Sequence, residues 1–399
     1  MTHFPGSRTF AAALCACALL LAALALPSAQ TTARAKGDGG GQGGGEWRVL
    51  APVSYKNLTI FPVRGADRPG SDAYITLDEG TKSGTVVITE RGGGQAAGIV
   101  GPRPQPANRQ PANRQPANRS PRQQAVSYSS GASVNELALV NRSGKKLVLL
   151  AGEVIVGGKQ DRIVQEDLVI PPVSVPVALN VFCVEHGRWT PRNAGYNSGG
   201  GSAARTAAPM EAAAPDDTKF SSLGAVAHPK LRAAAQDKKA QGEVWSEVSK
   251  NNAKLGTANG TDTYQEVYSS KRVGAQMDDY LRALEREVLQ PGVVGVVVAR
   301  NGKAVWADVF ASQRLFASYW PKLLKSYVVD ALGDNTSDAR PSVADASRYL
   351  RDREGTVSTT TQEGVYQLVK TEQASYAIFD LSDISLATPL RIHWNKMDR

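Results

Sequence analysis

The sequence is poor in the residues that most often build reactive centres. Its 399 residues include 3 cysteines and 4 histidines. Cys15 and Cys17 lie within an N-terminal apolar run, which leaves Cys183 alone in the remainder of the chain. A single cysteine there excludes an internal disulfide and paired Cys-x-x-Cys metal ligands. The histidines beyond that run are His186, His228 and His393, too few and too scattered for a multi-histidine metal centre. There is no Gly-x-Ser-x-Gly nucleophile elbow and no His-Glu-x-x-His zinc helix. No second long apolar stretch follows the first, so no membrane span is expected after it. No cofactor is expected. Stability has to come from a hydrophobic core, for which 42% hydrophobic content is ample.

What the sequence does carry begins with a leader. Arg8 precedes an almost unbroken apolar run from Phe10 to Leu26, and Pro27-Ser28-Ala29 supplies small residues at a cleavage position. This pattern predicts a signal peptide over 1–29 and a secreted or periplasmic protein. The run continues past Cys17, which argues against a lipoprotein, and its alanine-rich composition points to bacterial export. Residues 30–46 read as a glycine-rich linker. Gly37 to Gly45 contains Gly-x-Gly spacings, but no strand precedes it and no helix follows, so a dinucleotide loop is rejected.

The formal net charge is +9. Much of it belongs to a low-complexity insert over 102–124, in which Gln105-Pro-Ala-Asn-Arg109 is followed by two further copies ending at Arg114 and Arg119. Such proline density predicts an extended, solvated tether. Export makes nucleic acid an improbable partner for it. Tyr196 to Asp217, rich in Gly, Ala, Ser and Pro, predicts a disordered linker over 191–222. The chain thus divides into a β-rich domain over 47–190 and a helical and β-hairpin region over 223–399 that packs on it.

Short apolar runs in the first part predict an α+β fold: an antiparallel β-sandwich or partly open barrel core with a C-terminal helix and hairpin region. Glu136 to Val140 and Lys146 to Leu150 flank Asn141-Arg142-Ser143-Gly144, a hairpin signal. Arg162 to Ile170 reads as one strand. Farther on, Gln276 to Leu289 places Met277, Tyr280, Leu281, Leu284 and Val288 on one helical face. Asn301-Gly302 suits a type I′ turn between Val293–Arg300 and Lys303–Phe310. A broad apolar stripe from Leu315 to Val328 predicts a helix that Pro321 kinks or restarts. A helix near Val343 to Arg353 and strands at Val365–Lys370, Ser375–Leu381 and Leu390–Trp394 complete the set.

Two polar clusters interrupt these apolar runs. The first holds Glu153, Lys159, Gln160, Asp161 and Arg162, and the second holds Glu185, Arg188 and Trp189. Buried charge is costly unless paired. The clusters therefore form either an ion-pair lock, with Arg162 and Arg188 the natural partners of Glu185, or a pocket. In a pocket, Glu153 or Glu185 would act as general acid/base and Lys159 or Arg188 would hold an anionic substrate. Gly152 to Lys159 nearly matches a phosphate-binding loop, but Gly158 stands at the lysine position and Gln160 at the magnesium-binding Ser/Thr position, so nucleotide hydrolysis is rejected. Cys183 and His186 point to opposite faces of a strand, which argues against a metal.

At these clusters the chain resembles a known family. The Gly-Glu-x-x-x-Gly-x-Lys-Gln-Asp-Arg segment and Val181-Phe-Cys-Val-Glu-x-Gly-Arg-Trp189 are similar to the ARPP-1 domain, as are Gln241-Gly-Glu-Val-Trp245 and the stretch from Leu315-Phe316 to Leu332. The family is named for its association with ADP-ribosylglycohydrolase and rhodanese-phosphatase proteins. The resemblance implies homology over most of the chain and a link to ADP-ribose or phosphate chemistry, but no reaction of its own. The expected function is an exported binding or interaction module of the bacterial cell envelope, with the conjoined charged clusters as its polar site and an envelope partner or small anionic ligand. The alternative is a hydrolase acting on a glycan or ADP-ribose-like substrate through paired carboxylates.

Overall fold

In the computed structural model, residues 33–35, 47–90, 135–187, 219–334, 337 and 339–399 are described. The expected signal peptide, the repeat insert and most of the 191–222 linker lie outside them. In chain order the first elements are β1 (Ala33–Ala35), β2 (Arg48–Val49), β3 (Val53–Tyr55), β4 (Leu58–Arg64), β5 (Tyr74–Ile75), α1 (Leu77–Lys82) and β6 (Val86–Glu90). Then come β7 (Glu136–Asn141), β8 (Lys146–Leu149), β9 (Glu153–Gly157), β10 (Arg162–Val164), β11 (Leu168–Ile170), β12 (Val173–Cys183) and β13 (Lys219–Val226). Next are α2 (Pro229–Gln236), α3 (Gln241–Leu255), α4 (Glu266–Ser269), α5 (Lys271–Val288), β14 (Val293–Arg300), β15 (Lys303–Phe310) and α6 (Gln313–Ala331). The last are α7 (Val343–Arg351), β16 (Gly355–Gln362), β17 (Tyr366–Glu372), β18 (Tyr376–Asp383) and β19 (Leu390–Asp398).

The fold is α+β with a β-rich core. Strands β10-β12-β7-β6-β13-β9 close into a barrel. A ten-stranded sheet runs β1-β16-β17-β18-β19-β15-β14-β4-β2, with β3 also on β4. A small sheet, β11-β8-β5, contributes the one parallel pair among the described strands, β5 with β8. Because β4 pairs with β14, the C-terminal strands join the sheet begun by the N-terminal part.

The middle of the large sheet, at β4, β14 and β19, is buried on both faces, so β4 and β14 read as near-continuous apolar runs. Along β14, Val296 and Val298 enter the main core while Val297 and Ala299 enter a second core. Helix α6 packs on β14, β13 and α5, and its apolar stripe belongs to the main core that also fills the barrel. Ala346 and Leu350 of α7 cover the second. Asn301 (φ 50°) and Gly302 (φ 83°) make the expected positive-φ hairpin between β14 and β15. Pro321 lies inside one continuous helix, α6.

Three local expectations are corrected. Strands β7 and β8 exist but do not pair: β7 lies between β6 and β12, and β8 lies between β11 and β5. The reason is Asn141. Its amide donates to the carbonyls of Lys145 (2.8 Å) and Ile170 (3.1 Å) while its oxygen accepts from Ser143, so the chain turns out of the barrel into the small sheet. The Arg162–Ile170 run is two strands in two sheets, split at Gln165-Glu166-Asp167. Residues 219–222, expected in the linker, are strand β13 of the barrel.

Candidate functional site

The barrel positions the first cluster. Arg162 is in register with Ile155 of β9 and Cys183 of β12. These side chains share a face with Val164, Val181 and Leu179, and all are buried, as expected for the inward face of a closed barrel. Gln160 and Asp161 sit just before β10. The Gln160 amide donates to the Glu185 carbonyl (2.8 Å), and the Asp161 N–H donates to the Glu185 carboxylate (3.2 Å). The Asp161 carboxylate accepts from the Thr263 hydroxyl (3.0 Å). Arg162 Nη1 donates to the Gln160 side-chain oxygen (3.3 Å) and the Asp161 carbonyl (3.4 Å). Gln160, Asp161, Arg162 and Glu185 therefore do meet, and all four are buried.

The loop that follows α3 seals this corner. Glu185 bridges Thr263, and the Tyr264 N–H donates to the Val184 carbonyl (2.9 Å). Gln241, at the start of α3, bonds both backbone groups of Cys183, accepting from its N–H (3.0 Å) and donating to its carbonyl (2.8 Å). The His186 ring packs edge-on against Trp245 at 4.4 Å. Burial pushes the Cys183 thiol up, against the pull of Arg162, so it is no activated nucleophile. Two expectations change here. Arg162 does not grip Glu185, because its guanidinium turns into the barrel. Lys159 contributes its backbone N–H, to Glu90 (3.1 Å), and its ammonium forms no ion pair among the described residues. Arg188 and Trp189 lie outside the described residues.

Glu153 is held elsewhere. The Gly152 N–H bonds the Val164 carbonyl, at the far end of β10 from Asp161. From there the Glu153 carboxylate accepts the Leu150 N–H (2.8 Å) and pairs with Lys322 of α6. Lys322 also pairs with Asp78 of α1 (2.7 Å), and Asp78 accepts from Ser222 of β13. The Lys322 ammonium lies 4.4 Å from the centre of the Tyr319 ring. Burial opposes its charge, but Glu153 and Asp78 together raise its pKa. Burial likewise pushes Glu153 above the usual carboxylate range, whereas Lys322 brings the more exposed Asp78 below it.

A third network escaped the sequence reading. Asp308 of β15 takes Arg232 of α2 (2.9 and 3.0 Å), the Trp306 indole N–H (2.7 Å), the Tyr327 hydroxyl and His393 Nε2 (2.9 Å). His393 Nδ1 meets Asp167 (2.6 Å), which also accepts the Ala151 N–H (2.7 Å). Arg232, Asp308, His393 and Asp167 are fully buried. Burial works against both charged partners, yet Arg232 holds Asp308 well below the ordinary range and Asp167 holds His393 above it. The network ties α2, α6, β15, β19 and the β10–β11 connection together. Its sequence signal is faint: its members are scattered over four segments far apart in the chain, and no one segment forms a motif.

One cavity of about 150 Å³ opens between β11–β12 and β17, lined by Leu168, Val173, Val177, Val365 and Tyr366 with Glu136 and Glu166 among its polar groups. Pockets for small molecules usually span about 300–1,000 Å³. Glu166 is buried and paired with Lys238 (2.9 Å). Among the described residues no group of three or more His, Cys, Asp or Glu is placed to hold a metal, and no helix is long and apolar enough to cross a membrane.

The family model described as ARG and Rhodanese-Phosphatase-superfamily-associated Protein domain, ARPP-1, matches residues 46–383. The chain belongs to the ARPP-1 family. No curated protein and no solved structure matches it. The ARPP-1 match spans the barrel and most of the large sheet, so both expected parts of the chain belong to one family unit. It ends at the last residue of β18, although β19 sits between β18 and β15 and supplies His393. All the candidate polar residues of this ARPP-1 protein fall inside the match.

Proposed function

We propose that this ARPP-1 protein is an exported binding or interaction module of the bacterial cell envelope, and that its charged clusters fasten the barrel to the helices and loop packed on it and turn over no substrate. The signal-like leader supports export. One observation carries the rest: Glu153 and Glu185 lie at opposite ends of β10, and both are sealed from solvent, at 1% and 3% exposure. Paired carboxylates that hydrolyse a sugar bond must flank a single cleft. Here the Glu153 carboxylate is occupied by Lys322 and the Leu150 N–H, and the Glu185 carboxylate by the Asp161 N–H. Their burial and their separate partners support the binding reading over the hydrolase reading.

Thermal unfolding tests this. Lys322→Met strands two carboxylates, one of them fully buried, and is expected to cost about 3–5 kcal/mol. Glu185→Gln is expected to lower the melting temperature, with no accompanying turnover to lose. Hydrolysis of a glycan or ADP-ribose substrate by the parent protein, abolished in Glu185→Gln at unchanged melting temperature, would overturn the proposal.

A further inference from the structure

We propose that the Lys322 amine and the Asp78 carboxyl condense to an amide, a covalent staple between α6 and α1, with Glu153 carrying the protons. This bond goes beyond the interaction-module reading: it is made once, within the molecule, and no substrate is turned over. The Lys322 ammonium touches two carboxylates, that of Glu153 and, at 2.7 Å, that of Asp78. The two Asp78 oxygens differ. Oδ2 faces the ammonium, and Oδ1 accepts the Ser222 hydroxyl. The Gly224 N–H donates to Ser222 Oγ (3.1 Å), which turns the hydroxyl proton toward Asp78. Glu153 is fixed by the Leu150 N–H (2.8 Å), and α1 by its capping box at Thr76 and Glu79. The Tyr319 ring covers the ammonium at 4.4 Å. Amine and carboxyl are thus already held at contact distance, where a bimolecular step becomes a local one.

An ion pair alone does not call for this arrangement. One cation faces two acids, and Lys322 and Glu153 are 3% and 1% exposed, so a plain lock would bury surplus negative charge. A condensation, by contrast, needs the second acid. Glu153 and Asp78 together hold Lys322 charged at rest, so the reactive form is the neutral amine left when one proton crosses to Glu153. Burial, which pushes the Glu153 carboxyl above its ordinary range, favours that transfer. The Nζ lone pair then attacks Asp78 Cγ. The oxyanion that develops on Oδ1 is met by the Ser222 hydroxyl. Glu153 gives its proton to Oδ2, takes a second from Nζ and passes that on as well. The Nζ–Cγ bond forms, the Cγ–Oδ2 bond breaks, and Oδ2 leaves as water with two protons from the ammonium. Glu153 ends as it began. Asp78 is 34% exposed, so the water has a way out. A neutral amide then replaces a buried ammonium and its carboxylate, which relieves the cost of keeping that cation out of water. Cys183 is the one cysteine outside the N-terminal apolar run, so no internal disulfide can do this stapling.

The test is mass spectrometry of the full chain, purified folded and then denatured. The parent protein should be lighter than its sequence by one water, and its protease digest should contain a branched peptide joining Asp78 to Lys322. Glu153→Gln keeps the contact between Lys322 and Asp78 but cannot carry protons, and should form the amide about a hundredfold more slowly after refolding. Lys146 and Asp383 are an internal control. They are as close (2.6 Å), but no second carboxylate sits on that ammonium among the described residues, so they should stay unjoined. A folded parent protein with the mass of the linear chain overturns the staple and leaves the interaction-module reading intact. Equally fast joining in Glu153→Gln, or an amide between Lys146 and Asp383, overturns it too, because contact alone would then suffice. If Glu153→Gln does not fold, the branched peptide of the parent decides by its presence or absence. Cleavage of an added glycan would instead overturn the interaction-module reading.

Discussion

At the scale of single residues, most of the buried charge of this protein serves attachment. Lys322 and Glu153 are 169 positions apart, and His393 and Asp167 are 226 apart. The halves of such a pair are too far apart in the chain to be matched by local pattern, which is why Glu153 was legible as a candidate and its partner Lys322 was not. His393 makes a pH-dependent contribution with a definite sign. Its folded pKa is raised above the ordinary 6.5. The stability it adds is full below pH 6.5 and is lost as pH climbs through the raised value. Lys396 acts the other way: because it is lowered to about 8 in the folded protein, its effect on stability improves as pH rises beyond that point. Urea unfolding of the parent protein and His393→Asn isolates the first effect. The stability difference between the two should be larger at pH 6 than at pH 9, and a difference that does not change with pH would show that His393 is neutral in the fold.

Among the elements, strands and helices with a strong local pattern were legible and their pairing was not. The β14–β15 hairpin, α5 and α6 follow from turn chemistry and periodicity. The turn at Asn301-Gly302 is the best case. Gly302 has φ 83°, and a Cβ placed there would come 2.5 Å from the Cβ of Ala339. Gly302→Ala should cost more than about 1 kcal/mol, because the strained φ and the clash add, and a chemical-denaturation midpoint equal to that of the parent would contradict this. The segment around Asn141 failed for the opposite reason. Its four turn-forming residues do reverse the chain, but the Asn141 side chain bonds to Ile170 and commits β8 to another sheet. β16 was missed altogether. Its Thr-rich sequence is half-exposed along its whole length, so it offers no alternation to read, only β-branched composition.

For the molecule as a whole, the expected division into a β-rich part and a C-terminal part does not correspond to two separate sheets. The 223–399 region would lack β4, the partner of β14 along seven register pairs, and Glu153, the partner of Lys322. Expressed alone, it should show no cooperative thermal transition, and co-expression with 47–222 should restore one. A sharp melt of the isolated region would contradict the continuity of the large sheet. That continuity was beyond the sequence because β4 and β14 are separated by more than two hundred positions, and apolar runs do not specify which of several similar strands they will join.

The position of β19 has a consequence for biogenesis. It lies between β15 and β18, both of which leave the ribosome before it does. Until residues 390–398 are made, the two sides of the sheet have an empty lane between them, and Asp167 and Asp308 have no imidazole to join them. Here the closing strand arrives late, so a nascent chain interrupted just short of Leu390 should remain open to proteases.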